Sequence, residues 1–408
     1  MKYVSASPRA FARVIASVGP SARLLSTRLL SAATLFATSA SLAACGDDGA
    51  LNSAPQPPNG IVVMDGFIQP GLTLLADTGS ASNRVIFGSP TEFDAGGFTM
   101  LRDTVLSTSS RAAGDLLYIT DLKTGTMRRL QLPAKSNPSR ARLFQGSNGL
   151  ALIGVALRDS NAIALVSVSG SNAPTITRIA NAGLCPTDAF QYDNATWVVD
   201  ANANCKVNYA VQGDVRLIRI PNTGTTRDTI VLPGMRGSGA GAIVVNDIAY
   251  ISAGGNANFS SSPFSLISTG SLAKVDLRNK RLLQLRQMPA GTFGAGAKLG
   301  LDNFIYVSLS EDLISFRSRI LKIRTDDLGI VAGVPATATT SFIGPFMKLT
   351  SASGADVTCS SGQADALGRL HCIANGAASA TSLIVFNPAG TEVRRVPAGQ
   401  GGVDLALR

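Results

Sequence analysis

Histidine and tryptophan are almost absent from this chain of 408 residues: His371 and Trp197 are the only ones. One histidine excludes the usual His-based metal sites and leaves a His-dependent hydrolase a single candidate base. One tryptophan excludes the repeated Ser-x-Asp-x-Gly-x-x-Trp boxes of sialidases and the Trp-rich repeats of quinoproteins. Glutamate occurs only at Glu92, Glu311 and Glu392, and lysine is scarce. Beyond residue 60, no long window places apolar residues at i, i+3, i+4 and i+7, so amphipathic helices are not expected. Nucleotide-loop, zincin and nucleophile-elbow segments in a strand–helix context are missing as well.

What is present is β-rich. Short runs of Val, Ile, Leu, Tyr and Thr recur between Gly, Asn, Asp and Pro. Asp115-Leu-Leu-Tyr-Ile-Thr-Asp121 is followed by a Lys-Thr-Gly turn and Met127-Arg-Arg-Leu-Gln-Leu-Pro133. Similar pairs occur at Asp214 to Pro233, Leu272 to Leu285, Arg319 to Pro335 and Ser382 to Pro397, with a less regular one at Ala162 to Ala180. Another apolar pair precedes each, as in Ala297 to Ser308. Four strands per unit, at a period of roughly 45 to 60 residues, is the pattern of a β-propeller blade. Gly402-Val-Asp-Leu-Ala-Leu-Arg408 reads as a first strand with nothing after it. Gly60 to Met64, Leu72 to Leu75 and Arg84 to Phe87 read as three strands with no first strand before them. The expected fold is therefore all-β: a single propeller over residues 60–408 with seven four-stranded blades. A composite blade from both termini closes the ring and removes an exposed sheet edge.

The strands Leu116-Leu-Tyr-Ile-Thr-Asp121, Ile248-Ala-Tyr-Ile-Ser252 and Phe304-Ile-Tyr-Val-Ser308 resemble those of YVTN- and NHL-like propellers. That resemblance implies the fold and leaves function open, because such propellers include binding proteins and enzymes.

The first 44 residues carry Lys2, Arg9, Arg13, Arg23 and Arg28 and no acidic residue, and Leu29 to Ala44 is apolar or small. This is the order of a secretory signal, and the apolar part is too short and polar for a membrane span. The segment ends Leu42-Ala43-Ala44-Cys45, which resembles a bacterial lipoprotein signal. The resemblance implies cleavage before Cys45, lipidation (palmitate included) of its thiol, and a protein anchored at the cell envelope. The periplasmic side of an outer membrane and the cell surface are both compatible places. Loss of those five cations takes the formal charge from +10 to near +5, so nucleic acid is not an expected partner. Residues 45–59, with Pro55, Pro57 and Pro58, read as a tether.

Four further cysteines remain: Cys185, Cys205, Cys359 and Cys372. In an oxidising compartment an even number suggests disulfides. Three pairings are possible, and local spacing favours Cys185–Cys205 and Cys359–Cys372. Buried free thiols are the other reading.

Asp188, Asp356 and Asp404 are each expected to open a first strand, and Lys298 to hold the comparable place in another blade. First strands line a propeller's channel, so these residues could ring its mouth. Three carboxylates there could bind a divalent cation such as Ca²⁺, as a metal-dependent lactonase-like hydrolase would require. The competing reading is that an aspartate at a strand start caps the preceding turn. His371 is expected to be a partly buried strand residue. Arg128-Arg129, Lys280-Arg281 and Arg394-Arg395 fall on expected outer strands, where charge discourages edge-to-edge association. Polar insertions at Gly254 to Pro263 and around Gly376 to Thr381 are the expected contact loops. Together these features favour a non-catalytic, membrane-tethered module that binds a protein or glycan; the lactonase is the alternative.

Overall fold

Alternating apolar runs and tight turns fold the chain into seven small antiparallel sheets arranged as a β-propeller. The computed structural model describes residues 60–408 except 67–69, 76–80, 87–94, 112–113, 146–150, 169–172, 208–209, 223–226, 238–240, 259, 261–262, 314–316, 332–344 and 376–379. The expected signal segment, Cys45 and the expected tether lie outside the described residues.

Blades are numbered here from the sheet that begins at Ala95. Their first, innermost strands are Ala95–Leu101, Pro138–Gln145, Pro186–Tyr192, Gly241–Val245, Phe293–Leu299 and Ser361–Ala364. Blade 7 takes its first strand, Gly402–Leu407, from the chain's end and its other three, Ile61–Asp65, Gly71–Leu75 and Ala81–Ile86, from the beginning. Val62 pairs with Ala406 and Val63 with Leu405, so the composite blade is formed as expected. Blade 5 has three full strands. Its fourth position is begun by Ile330, which bridges Ile323, and by the N–H of Val331, which donates to the Lys322 carbonyl at 2.8 Å.

Turn chemistry fixes the hairpins. Between the third and fourth strands of blade 1, Asp121 Oδ1 accepts from the N–H groups of Lys123 at 2.8 Å and Thr124 at 3.2 Å. Gly125 then takes a φ of +70°, which a side chain would strain. Asp276 in blade 4 and Asn387 in blade 6 cap the equivalent turns through Asn279 and through Ala389 and Thr391.

The core lies between blades. Trp197, Leu217 and Ile230 of blade 3 pack on Ile251, Ala273 and Val275 of blade 4. The same kind of layer fills each of the other six junctions, including Ile61, Val63 and Leu405 of blade 7 against Ile373 and Leu383 of blade 6. Each buried Leu, Ile or Val contributes about 1.5–3 kcal/mol, so the ring is held by contacts that exist only when neighbours are in place.

Both expected cysteine pairs are in place. Cys185 and Cys205 have Cα atoms 5.5 Å apart, and Cys359 and Cys372 are 5.7 Å apart. Cys372 is on the second strand of blade 6, Leu370–Asn375, and Cys359 lies just before its first strand, Ser361–Ala364. The first ties the start of blade 3 to an inserted hairpin, Ala203–Asn204 paired with Ala210–Val211.

Candidate functional site in the channel and on the loop face

Antiparallel order sends the second-to-third and the fourth-to-first connections to one end of the ring. The first-to-second and third-to-fourth turns emerge at the other. The longer connections are concentrated at the first end, called here the loop face.

The seven first strands carry five charged residues: Arg140, Arg142, Asp188, Lys298 and Asp404. Asp188 is fully buried in the third position of its strand. Its carboxylate accepts from Arg142 Nε at 2.8 Å and Nη2 at 2.6 Å, and from the Ala242 N–H at 2.9 Å. Arg142 Nη2 also donates to the Ala242 carbonyl. One carboxylate thus joins the first strands of blades 2, 3 and 4. Burial pushes the Asp188 carboxyl up, but Arg142, Arg140 and the Ala242 N–H outweigh it and hold it below the ordinary value.

Lys298 answers on the other side. It is one residue from the end of its strand, not at the start, and reaches from blade 5 past blade 6 to Asp404 and the Leu405 carbonyl in blade 7. Ser361 Oγ donates to the same Asp404 oxygen at 2.7 Å. Burial lowers the proton affinity of the Lys298 ammonium, Asp404 opposes this, and Arg140 adds to the lowering.

Asp356 is not on a first strand. It precedes Ser361–Ala364, bridges Thr350, and pairs with Arg317 at 3.0 Å and Arg319 at 2.7 Å. The three candidate metal ligands are therefore not brought together, and each has a cationic partner. Among the described residues, no three His, Cys, Asp or Glu side chains form a group that could hold a metal ion.

His371 is fully buried in the second strand of blade 6, more deeply than the sequence suggests. Its Nε2 lies 2.9 Å from Asp365 Oδ2, which also accepts from Arg369 Nε at 2.7 Å. Asp365 Oδ1 accepts from the N–H groups of Leu367 and Arg369 and closes the hairpin. Burial raises the Asp365 carboxyl, but the hydrogen bonds from His371 and Arg369 bring it down to about 2. Its contribution to stability is thus present above the unfolded value of about 3.9 and is lost as pH falls toward about 2. Wild type should lose about 2 kcal/mol more than Asp365→Asn between pH 4.5 and 2, read from urea midpoints. Equal acid limbs would show that this carboxylate does not matter to folding.

Sequence reading missed Arg140 and Arg142. The signal was their spacing of two, which places both on one face of a strand. It also missed that the Gly254 to Pro263 insertion is part of a hairpin, Asn256–Asn258 paired with Ser265–Ser268. The hairpin is rooted where Gly237 bridges Gly255; a Cβ at Gly237 would sit 1.7 Å from the Gly255 carbonyl oxygen. Four large apolar side chains are exposed on the loop face of blades 3 and 4: Leu184 (39%), Val207 (56%), Phe264 (43%) and Ile267 (63%). Beside Leu184 is a cleft of about 370 Å³ that also meets Arg158, Lys206 and Gln212. Of the other expected loop, residues 376–379 lie outside the described residues. The basic pairs are on outer strands as expected, with Arg128 and Arg129 in Met127–Gln131 and Arg394 and Arg395 in Glu392–Gln400. Arg281 opens Arg281–Gln287, with Lys280 in the turn before it.

No family profile matches the chain. No curated protein matches it in sequence. Solved structures do match. A hypothetical selenium-binding protein from Sulfolobus tokodaii superposes with a TM-score of 0.54 at 11% identity, over 86% of this chain and 94% of that one. A Bacteroides uniformis protein named as a candidate 6-phosphogluconolactonase gives 0.52 at 10%, over 86% and 100%. Its Bacteroides fragilis counterpart gives 0.50 at 11%, over 88% and 99%. At such identities these likenesses establish a common fold.

Proposed function

We propose that this protein is a lipid-anchored propeller of the cell envelope that binds another envelope protein on its loop face, without catalysis of its own. The observation that carries the reading is the group of exposed apolar side chains, Leu184, Val207, Phe264 and Ile267, on insertions of two adjacent blades. Exposed apolar residues grouped on inserted loops are typical of protein contact surfaces, and they favour a protein over a glycan. Gly60 sits at the turn end of blade 7, where its carbonyl accepts from the Arg408 N–H.

The lactonase alternative needs carboxylates free to take a metal. Asp188 and Asp404 are instead engaged by Arg142 and Lys298, and Asp356 is engaged by Arg319 elsewhere.

The test uses the full chain in cells. Fed a clickable palmitate analogue, wild type is expected to take up label and partition with membranes, and Cys45→Ser to lose both. A photo-crosslinking residue at position 267 should give one discrete protein adduct, and one at Leu283 on an outer strand should give none. Label retained by Cys45→Ser would refute the anchor. Adducts of equal yield at both positions, or a glycan as the captured species, would refute the protein-binding face.

A further inference from the structure

Arg140 shares its one carboxylate, Asp188, with Arg142. Asp188 is saturated by the two-pronged Arg142 contact and the Ala242 N–H, and it stands 3.6 Å from Arg140 Nη1. Among the described residues the Arg140 side chain donates no hydrogen bond, and it is 26% exposed. It belongs to blade 2, yet its guanidinium lies against the Gly241 backbone of blade 4, where a Cβ would come within 2.3 Å of Nη1. A side chain that passes blade 3 to reach blade 4 must lie inside the channel. From there its charge also depresses the proton affinity of Lys298 in blade 5.

The charge count agrees with this geometry. The first strands supply three cations and two carboxylates, and each carboxylate is matched, Asp188 with Arg142 and Asp404 with Lys298. One positive charge is left over in a confined, water-reachable channel, where low-dielectric walls strengthen its field. Two cations that repel each other across such a space are stabilised by an anion between them. A guanidinium with unused N–H groups suits a planar carboxylate or a phosphate, which it can grip in two-pronged fashion.

We infer that the channel binds a small anion bearing a carboxylate or phosphate group, held by Arg140 with Lys298 facing it. Leu299 and the Leu407 N–H already occupy Gln363, so the Arg140 guanidinium is the group that grips the anion, and Lys298, held by Asp404 and the Leu405 carbonyl, adds the field of its charge. The inference stands apart from the loop-face reading, because a small ligand can fill the channel whether or not a protein engages the loops.

Isothermal titration of the purified full chain with inorganic phosphate and, separately, with citrate tests it, at one fixed ionic strength set with sodium chloride. Saturable one-to-one binding of either anion is expected. Phosphate alone would mark a phosphate site, citrate alone a carboxylate site, and both the shared chemistry. Arg140→Gln should weaken binding by at least about tenfold, the size of one charge-assisted contact. Arg140→Lys should retain part of it. Lys123→Gln, in an exposed turn far from the channel, should leave it unchanged. Because Arg142 and the Ala242 N–H keep their hydrogen bonds to Asp188, Arg140 variants should still unfold in one cooperative transition. No binding of either anion at millimolar concentration, or equal binding by Arg140→Gln, would overturn the inference.

Discussion

A chain ending at Gly401 is expected to lose cooperative folding. The missing residues form the innermost strand of blade 7, paired along its length with Ile61–Asp65. Without them Ile61 to Asp65 becomes an unpaired edge facing the channel, and the layer between blades 6 and 7 loses the fully buried Leu405. Truncating a buried leucine alone typically costs about 2–5 kcal/mol. The deletion also takes Asp404 from Lys298, leaving an enclosed ammonium without its carboxylate, and the Leu407 N–H from Gln363. A domain stable by only about 5–15 kcal/mol does not survive such losses together. The expected result is β-type circular dichroism with a broad, non-cooperative urea transition and concentration-dependent aggregation from the new edge. Removal of Arg408 alone should leave a sharp transition. A sharp transition at the wild-type midpoint in the longer truncation would mean that the ring does not depend on its closing strand.

How much of this could be read from the sequence follows from the physics of each feature. The blades were legible because strand ends are marked by turn residues with a local task, such as Asp121 with Gly125 and Asn387 with Gly390. Ring closure was legible because Gly402 to Arg408 lacks partners downstream and Gly60 to Phe87 lacks one upstream. The cysteine pairs were legible from spacing. Strand register was not: Cys359 and Asp356 both fall before their blade's first strand, since the stretch from Phe346 runs irregularly before the sheet begins. Lys298 was misplaced for the same reason, as a bulge between Phe293 and Gly296 starts its strand earlier than the apolar pattern does.

The site was legible only by halves. Asp188 and Asp404 were found by their position at strand starts, a local property. Their pairing was not, because Arg142 lies 46 residues from Asp188 and Lys298, though named, comes from two blades away. A cross-channel ion pair has no short-range trace. What looked like a ring of free carboxylates is therefore a set of ionic ties between inner strands, and the charge in excess, Arg140 beside the Arg142–Asp188 pair, has the opposite sign.

Those ties lead to the second large effect. Asp188→Ala should destabilise the fold by about 3–5 kcal/mol, the usual result of removing one member of a buried ion pair. The loss comes less from the attraction removed than from what is stranded. Arg142 keeps a charge in an enclosed site with one backbone carbonyl, Ala242, as its partner, and the Ala242 N–H loses its acceptor. Arg140 loses the same carboxylate, so two unmatched cations stand side by side. Pairing Asp188→Ala with Arg142→Met removes the stranded charge while keeping apolar bulk, so the double variant should recover more than half of the loss. Urea unfolding of the two single variants and the double gives the coupling directly. The single variant should also show its loss undiminished in high salt, because ions do not reach a fully buried carboxylate as they reach a surface pair. If Asp188→Ala unfolds at the wild-type midpoint, or if the double variant is as unstable as the sum of the singles, then Asp188 is not what binds the first strands of blades 2, 3 and 4 to one another.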